Sequence, residues 1–355
     1  MVGARPNFIK MAALVDEIRR RPSIAVSLVH TGQHFSAEMS DTFFRDLSIP
    51  APEVNLGVGG GTPTEQTAEM MRRLESVFLG ANPSLVLVVG DVNSTLAAAL
   101  VASKMGIAIA HVEAGLRSFD RTMPEEINRI VTDALSDYLF VTEPAGRKNL
   151  LAEGIPEDRI FFVGNVMIDT LLRFRARAAE SDVLDRLGLT QGRYAVITLH
   201  RPSNVDDPGQ LAHLANALGE VAKRISVVFP VHPRTLARMR SAQIAPANVM
   251  LIPPLGYIDF IRLIADARMV LTDSGGIQEE TTILQVPCLT LRRNTERPVT
   301  IDEGTNRLIG TEPGAIVKAA LEVLDSPVMR SASIPALWDG KASARILDVL
   351  ESQFQ

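Results

Sequence analysis

The pattern that most restricts how this chain can fold is an alternation of short, nearly all-apolar runs with longer segments of helical period. Leu85-Val86-Leu87-Val88-Val89 is the plainest of these runs. A strand with one wet face alternates polar and apolar residues. An unbroken apolar run belongs to a strand covered on both faces, as in a parallel sheet flanked by helices. Similar runs place strands over residues 26–30, 85–90, 107–112, 138–142 and 159–163. A second series occupies 194–199, 227–230, 249–251, 269–272 and 288–291. Helical segments fit between them at 95–105 and 124–135, then at 210–224, 257–265 and 276–284. The chain is therefore of the α/β class, and the two series predict two layered units facing a cleft, with a seam over 164–177.

Length and composition agree with that reading. At roughly 150 residues per domain, 355 residues suit two. Hydrophobic residues make up 46% and charged residues 22%, enough to bury a core and to exclude disorder, collagen or coiled coil for the bulk of the chain. A net charge of −5 argues against a nucleic-acid binder, which would carry a basic excess. The one cysteine, Cys288, can make neither an internal disulfide nor a thiolate metal site. No apolar run approaches the ~18 residues that span a bilayer, and the start lacks a signal-peptide core. The expectation is a soluble, cytoplasmic protein with no membrane or nucleic-acid partner.

Ligands of open α/β sheets bind beyond the carboxyl ends of the strands. Those ends are polar here: Thr31-Gly32-Gln33-His34, Asp91, Glu113, His200-Arg201, His232 and Asp273-Ser274-Gly275-Gly276. After the run 269–272, Ser274-Gly275-Gly276 leads into a helix whose N–H groups suit an anion, with Glu280 placed to accept from ribose hydroxyls. A capped junction with Ser274 as N-cap remains the alternative. The pattern is not G-x-G-x-x-G, so a nicotinamide dinucleotide is poorly supported. Asp91 opens a helix through Asn93-Ser94-Thr95 and reads either as a cap or as a carboxylate in the cleft. Glu113 ends the next strand, and Pro124 suits a helix start. Glu125 and Arg129 stand four apart on one helix face, which by itself requires only an exposed ion pair. Taken together, Asp91, Glu113 and Glu125 are three carboxylates at neighbouring strand ends. Crowded in one cleft, they would raise one another's pKa into a range useful for proton transfer.

Histidines His200 and His232 close two strands of the second series. His30 and His34 are four apart, but Thr31-Gly32 between them sits at a strand end, so no metal site is expected. In Arg292-Arg293-Asn294-Thr295-Glu296-Arg297, Arg297 suits a diphosphate, and Arg292 and Arg293 read as a solvated basic loop. Gly3-Ala4-Arg5-Pro6 has the character of a loop after a first strand, yet only Met1-Val2 precede it, which suggests a shortened strand.

The ordered set Gly-Ala-Arg-Pro (3–6) with Lys10, Gly90-Asp91, His111–Arg117, Pro124–Arg129, His200-Arg201, Pro230–Pro233, Asp273–Glu280 and Thr295–Pro298 resembles the UDP-N-acetylglucosamine 2-epimerase family of the non-hydrolysing type. The resemblance runs from residue 3 to about 310. It implies a glycosyltransferase-B-like architecture: a Rossmann-like domain over 1–165, a UDP-binding one over 166–340, and a helix in 341–355 crossing back to the first. It also implies a homodimer, no cofactor and no metal. By the same resemblance Arg5, Lys10, Arg129, His232, Phe260, Ser274, Gly275, Gly276, Glu280 and Arg297 bind a UDP-sugar. Asp91, Glu113, Glu125 and His200 perform the acid/base work of inverting C2 of UDP-N-acetylglucosamine. A hydrolysing epimerase, an epimerase for a modified UDP-acetamido sugar and a glycosyltransferase of the same fold are the alternatives. The chain departs from many relatives at Asn7, where they carry Glu, at Pro202, where they carry a second Arg, and at Phe35-Ser36. The latter two bear on regulation by a second bound UDP-sugar more than on catalysis.

Overall fold

The computed structural model describes residues 1–3, 5–32, 46–326 and 332–354, and the side chains of residues 5 and 6 fall outside that description. The chain divides into two compact units: Met1–Arg173 together with Ala336–Gln355, and Phe174–Pro335. No helix among the described residues is long and apolar enough to cross a membrane.

In the first unit, β3 (Leu85–Val89), β4 (Ala108–Ala114), β5 (Tyr138–Val141) and β6 (Ile160–Phe162) form a parallel sheet in chain order. A separate parallel pair joins β1 (Val29–His30) to β2 (Val54–Asn55). Val2 adds a bridge to His30: its N–H reaches Val29 O at 3.0 Å, and the Thr31 N–H reaches Val2 O at 2.9 Å. Helix Arg5–Arg19 begins within the segment that the sequence suggested as a loop. That helix buries Asn7 and Lys10 on its inner side, which blurs its apolar period. The predicted strand at 26–30 shrinks to its last two residues, with Val26 exposed.

Local chemistry sets the helix starts. Thr62 accepts from the Glu65 N–H while the Glu65 carboxylate accepts from the Thr62 N–H, a reciprocal cap on helix Pro63–Ala81. Proline occupies the first turn at Pro124, Pro144, Pro202, Pro208, Pro233 and Pro313. The core between Pro63–Ala81 and the sheet collects Met70, Leu74, Phe78, Val86, Val88 and Ile109.

The second unit holds six parallel strands in the order β12-β11-β10-β7-β8-β9. They are β7 (Tyr194–Thr198), β8 (Ser226–Pro230), β9 (Val249–Ile252), β10 (Met269–Thr272), β11 (Cys288–Thr290) and β12 (Asn306–Leu308). β12 was not anticipated, because Asn306-Arg307-Leu308 carries no apolar run. Cys288 is buried in β11, and burial pushes its thiol up to about 11, so it is an unreactive core residue.

The C-terminal helix Ala342–Phe354 belongs to the first unit and packs on Arg5–Arg19. The buried Asp169 carboxylate accepts the Ala342 and Ser343 N–H groups at 3.1 and 2.6 Å. Burial pushes the Asp169 pKa up against the pull of those bonds. Nearby, Trp338 is buried and donates its indole N–H to Thr142 O at 2.9 Å.

Candidate active site

In the first unit the polar ends of β3 and β4 lie side by side, Val89 pairing with Val112. Asp91 follows β3 and is partly exposed, and the buried Arg129 grips it. The Arg129 Nε donates to Asp91 Oδ2 at 3.0 Å, and its Nη2 lies 2.9 Å from the same oxygen. The Asn128 amide donates to Asp91 O at 2.9 Å and to Asn93 Oδ1 at 3.1 Å, fixing the turn. Asp91 is therefore no helix cap: Val92 occupies the N-cap of Asn93–Met105.

Glu113 sits at an irregularity. Opposite β5 the register jumps between Val112 and Ala114, leaving Glu113 as the extra residue of a bulge with φ +74°. For a non-glycine residue that conformation costs on the order of 1 kcal/mol. Bulges re-aim side chains, and this one directs a buried carboxylate onto the Lys10 ammonium, with which it is paired. Gly115 follows with φ +78°, and a Cβ there would lie 2.4 Å from Gly146 O, so two constraints demand glycine.

Glu125 is half-buried on helix Pro124–Leu135. The sequence suggested three carboxylates acting on one another. The structure sets a cation against Asp91 and another against Glu113. Asn7 donates to Val89 O at 2.7 Å and so ties helix Arg5–Arg19 to the same strand end. The Arg5 side chain and residues 33–36 lie outside the described residues.

In the second unit Asp273, fully buried at the end of β10, gathers the neighbouring end of β7. It accepts the His200 N–H, the Arg201 N–H and the Asn204 amide at 3.0–3.1 Å. Its Oδ1 lies 2.8 Å from His200 Nδ1. Burial alone would raise its pKa, but His200 and these donors hold it below the usual carboxylate range. His200 itself stays half exposed, so its other ring nitrogen is available to a ligand.

Ser274 occupies the N-cap of helix Gly275–Leu284, yet its side chain makes no capping bond. Arg297 stands over this helix start. Its Nε donates to Glu279 Oε1 at 2.7 Å, and its Nη1 lies 3.6 Å from Glu296. A Cβ on Gly275 would come 2.4 Å from that guanidinium, so the glycine makes room for it. Glu280 is buried; burial, then its charge, push the Tyr257 hydroxyl well above its ordinary pKa. Phe260 is half-buried on Tyr257–Ala265. His232 is exposed and caps helix Pro233–Ser241, accepting the Arg234 N–H at 3.2 Å.

The solvated-loop reading of Arg292 is wrong. Arg292 is buried and donates to the fully buried Glu296 at 2.8 Å, because that interior carboxylate needs cations. Arg293 is exposed.

The residues to which sequence reasoning gave no role are the holders Glu126, Asp133, Glu279 and Glu296; Asp273 was noted only as a polar strand end. One signal was available. Glu126, Arg129 and Asp133 recur at helical spacing on one face of Pro124–Leu135, and all three are buried. Charged residues on the inward face of a helix demand mutual pairing, as the Arg129–Glu126 contact shows.

The sequence matches the family profile described as UDP-N-acetylglucosamine 2-epimerase over residues 16–351. It is 40% identical over 361 residues to UDP-N-acetylglucosamine 2-epimerase of Methanocaldococcus jannaschii, covering 99% of this chain and 97% of that protein. It is 41% identical over 354 residues to UDP-2,3-diacetamido-2,3-dideoxy-D-glucuronate 2-epimerase of Pseudomonas aeruginosa, covering 99% and 98%. Its structure matches the crystal structure of the M. jannaschii UDP-GlcNAc 2-epimerase in complex with UDP-GlcNAc and UDP at a TM-score of 0.93, with 40% identity over 99% of this chain and 98% of that one.

Proposed function

The chain belongs to the UDP-N-acetylglucosamine 2-epimerase family, and from that premise we propose that it interconverts UDP-N-acetylglucosamine and UDP-N-acetylmannosamine without net hydrolysis. The C2 proton of the sugar adjoins no carbonyl and is not acidic. Its removal is therefore coupled to departure of UDP from C1. The C2–H electrons form the C1–C2 double bond of a glycal while the C1–O bond breaks toward the diphosphate. Re-addition of UDP at C1 with protonation of C2 from the opposite face completes the inversion.

The observation that carries this reading is the pair of ion-paired carboxylates, Asp91 and Glu113, at adjacent strand ends. A group that takes a proton and one that returns it must stand close together, each held in place. In this proposal Asp91, Glu113 and Glu125 supply base and acid, Lys10 orients Glu113, and Arg129 orients Asp91. Ser274, Gly275, Gly276 and Arg297 take the departing diphosphate, where oriented N–H groups and a guanidinium stabilise developing negative charge. His200, set by Asp273, delivers a proton or hydrogen bond at the leaving oxygen. Glu280 accepts from the ribose, and Arg5, His232 and Phe260 complete the nucleotide contacts. The enzyme acts as a cytoplasmic homodimer and needs no metal or nicotinamide.

The near-equal identity to the diacetamidoglucuronate enzyme favours one second reading, a UDP-sugar bearing a further acetamido group and a C6 carboxylate. Proton NMR in D2O tests both. UDP-N-acetylglucosamine should give UDP-N-acetylmannosamine with deuterium at C2. Turnover of the diacetamido uronate alone would transfer the proposal to that substrate. Free N-acetylmannosamine with UDP would mark the hydrolysing reaction, and absence of exchange with either sugar would overturn the epimerase reading.

A further inference from the structure

The fully buried His111 stands on β4 two residues before Glu113, and both of its ring nitrogens are committed. Nε2 is 2.9 Å from Gly90 O, the carbonyl just before Asp91; a carbonyl only accepts, so Nε2 carries a hydrogen. Nδ1 is 2.6 Å from Asp133 Oδ1. The other Asp133 oxygen accepts the Gly115 N–H at 3.0 Å and lies 2.7 Å from Arg117 Nη2. Asp133 therefore binds β4 two residues before Glu113 and two residues after it, bracketing the bulge in which Glu113 holds its left-handed backbone. Burial would by itself raise the Asp133 pKa, but His111 and Arg117 hold it down, so the bracket stays anionic.

Resting on the functional reading above, we infer that Asp133 and His111 are positioning residues. Asp133 keeps Glu113 in its strained, re-aimed conformation, and His111 transmits the same constraint across the sheet to the Gly90–Asp91 peptide. Neither touches the substrate. A buried His–Asp pair with a merely structural role would affect folding alone. A positioning pair also lowers turnover in protein that is folded and still binds UDP.

The test begins with the unaltered enzyme. Nitrogen-15 NMR of labelled histidine should show a proton on His111 Nε2, and a bare Nε2 overturns the His111 bond to Gly90. Asp133→Asn should then lower kcat, counted per UDP-binding site, by 10- to 100-fold, with the Kd for UDP changed less than twofold. A crystal structure of that variant should show Glu113 leaving its positive φ. Wild-type kcat in folded Asp133→Asn overturns the inference. If that variant does not fold, His111→Gln is read the same way, since its amide can still donate to Gly90 O: a deficit smaller than in His111→Leu supports the inference, and none in either overturns it. If the wild type exchanges no C2 proton, the functional reading fails separately. The positioning claim is then judged by whether the Glu113 backbone moves in the variant structure, and an unmoved bulge overturns it.

Discussion

The site residues of the two units are held by the same device with the signs exchanged. In the first unit the partly exposed Asp91 is an acid and its buried holder a cation: the Asp91 side chain is 25% exposed and Arg129 2%, while Glu113 is buried together with Lys10. In the second the exposed group is a base and its holder an acid: the His200 side chain is 51% exposed and Asp273 0%. The backbones differ as well. The first unit aims Glu113 from a strained bulge, whereas the second opens a helix with glycines beneath a guanidinium. A buried charge fixed by several partners costs little to keep in position, and its exposed mate inherits that position. Under the proposed function the labour divides, with C2 proton transfer in the first unit and diphosphate binding, with His200 at the leaving oxygen, in the second.

The largest test of that division is Asp91→Asn. Loss of a general acid or base costs about 10²–10⁴ in rate. We expect kcat to fall about 10³-fold while the Kd for UDP by calorimetry stays within twofold. A matched loss of UDP affinity would break the division. Gly275→Ala should do the converse. Its Cβ displaces the Arg297 guanidinium, and losing a charged hydrogen bond costs about 1.5–3 kcal/mol. UDP affinity should drop roughly 10- to 100-fold with little change in saturated turnover of the remaining complex; unchanged affinity would remove Arg297 from the diphosphate site.

Acid stability sharpens the comparison because each unit has its own buried aspartate with a depressed pKa. The unfolded value is near 3.8, so each contributes stability fully above about pH 4 and loses it as pH falls through the lower folded value. Trp338, the single tryptophan, lies in the first unit. Its fluorescence should follow the acid transition altered by Asp133→Asn and ignore Asp273→Asn. A shift with Asp273→Asn would mean that the units unfold together. The smallest effect expected is that of Trp338→Phe, which removes the bond to Thr142 O and should cost about 1–2 kcal/mol in urea melts without altering kcat.

Most of the strands were legible in the sequence, and so was the identity of the residues at their carboxyl ends, since Asp91, Glu113, His200 and Asp273 stand directly after or within apolar runs. Helices Arg5–Arg19 and Val166–Ala179 were less so, because Lys10, Asp169 and Thr170 interrupt their apolar faces with polar groups that are buried. Arg292 was misread for the same reason: a charge in a loop is taken as solvated until its interior partner is known.

The sequence alone determined an α/β chain with two series of buried parallel strands, an ordered set of family motifs and the polar groups that close the strands. These follow from local periodicity, which acts over a few residues. Only the tertiary structure decided which charge meets which. Lys10 reaches Glu113 across 103 residues, His200 reaches Asp273 across 73, and Asp133 brackets a bulge 20 residues earlier in the chain that no pattern announces. Such pairings depend on strand order and register, and the low dielectric of a buried site leaves an ionised group few arrangements besides a well-placed partner.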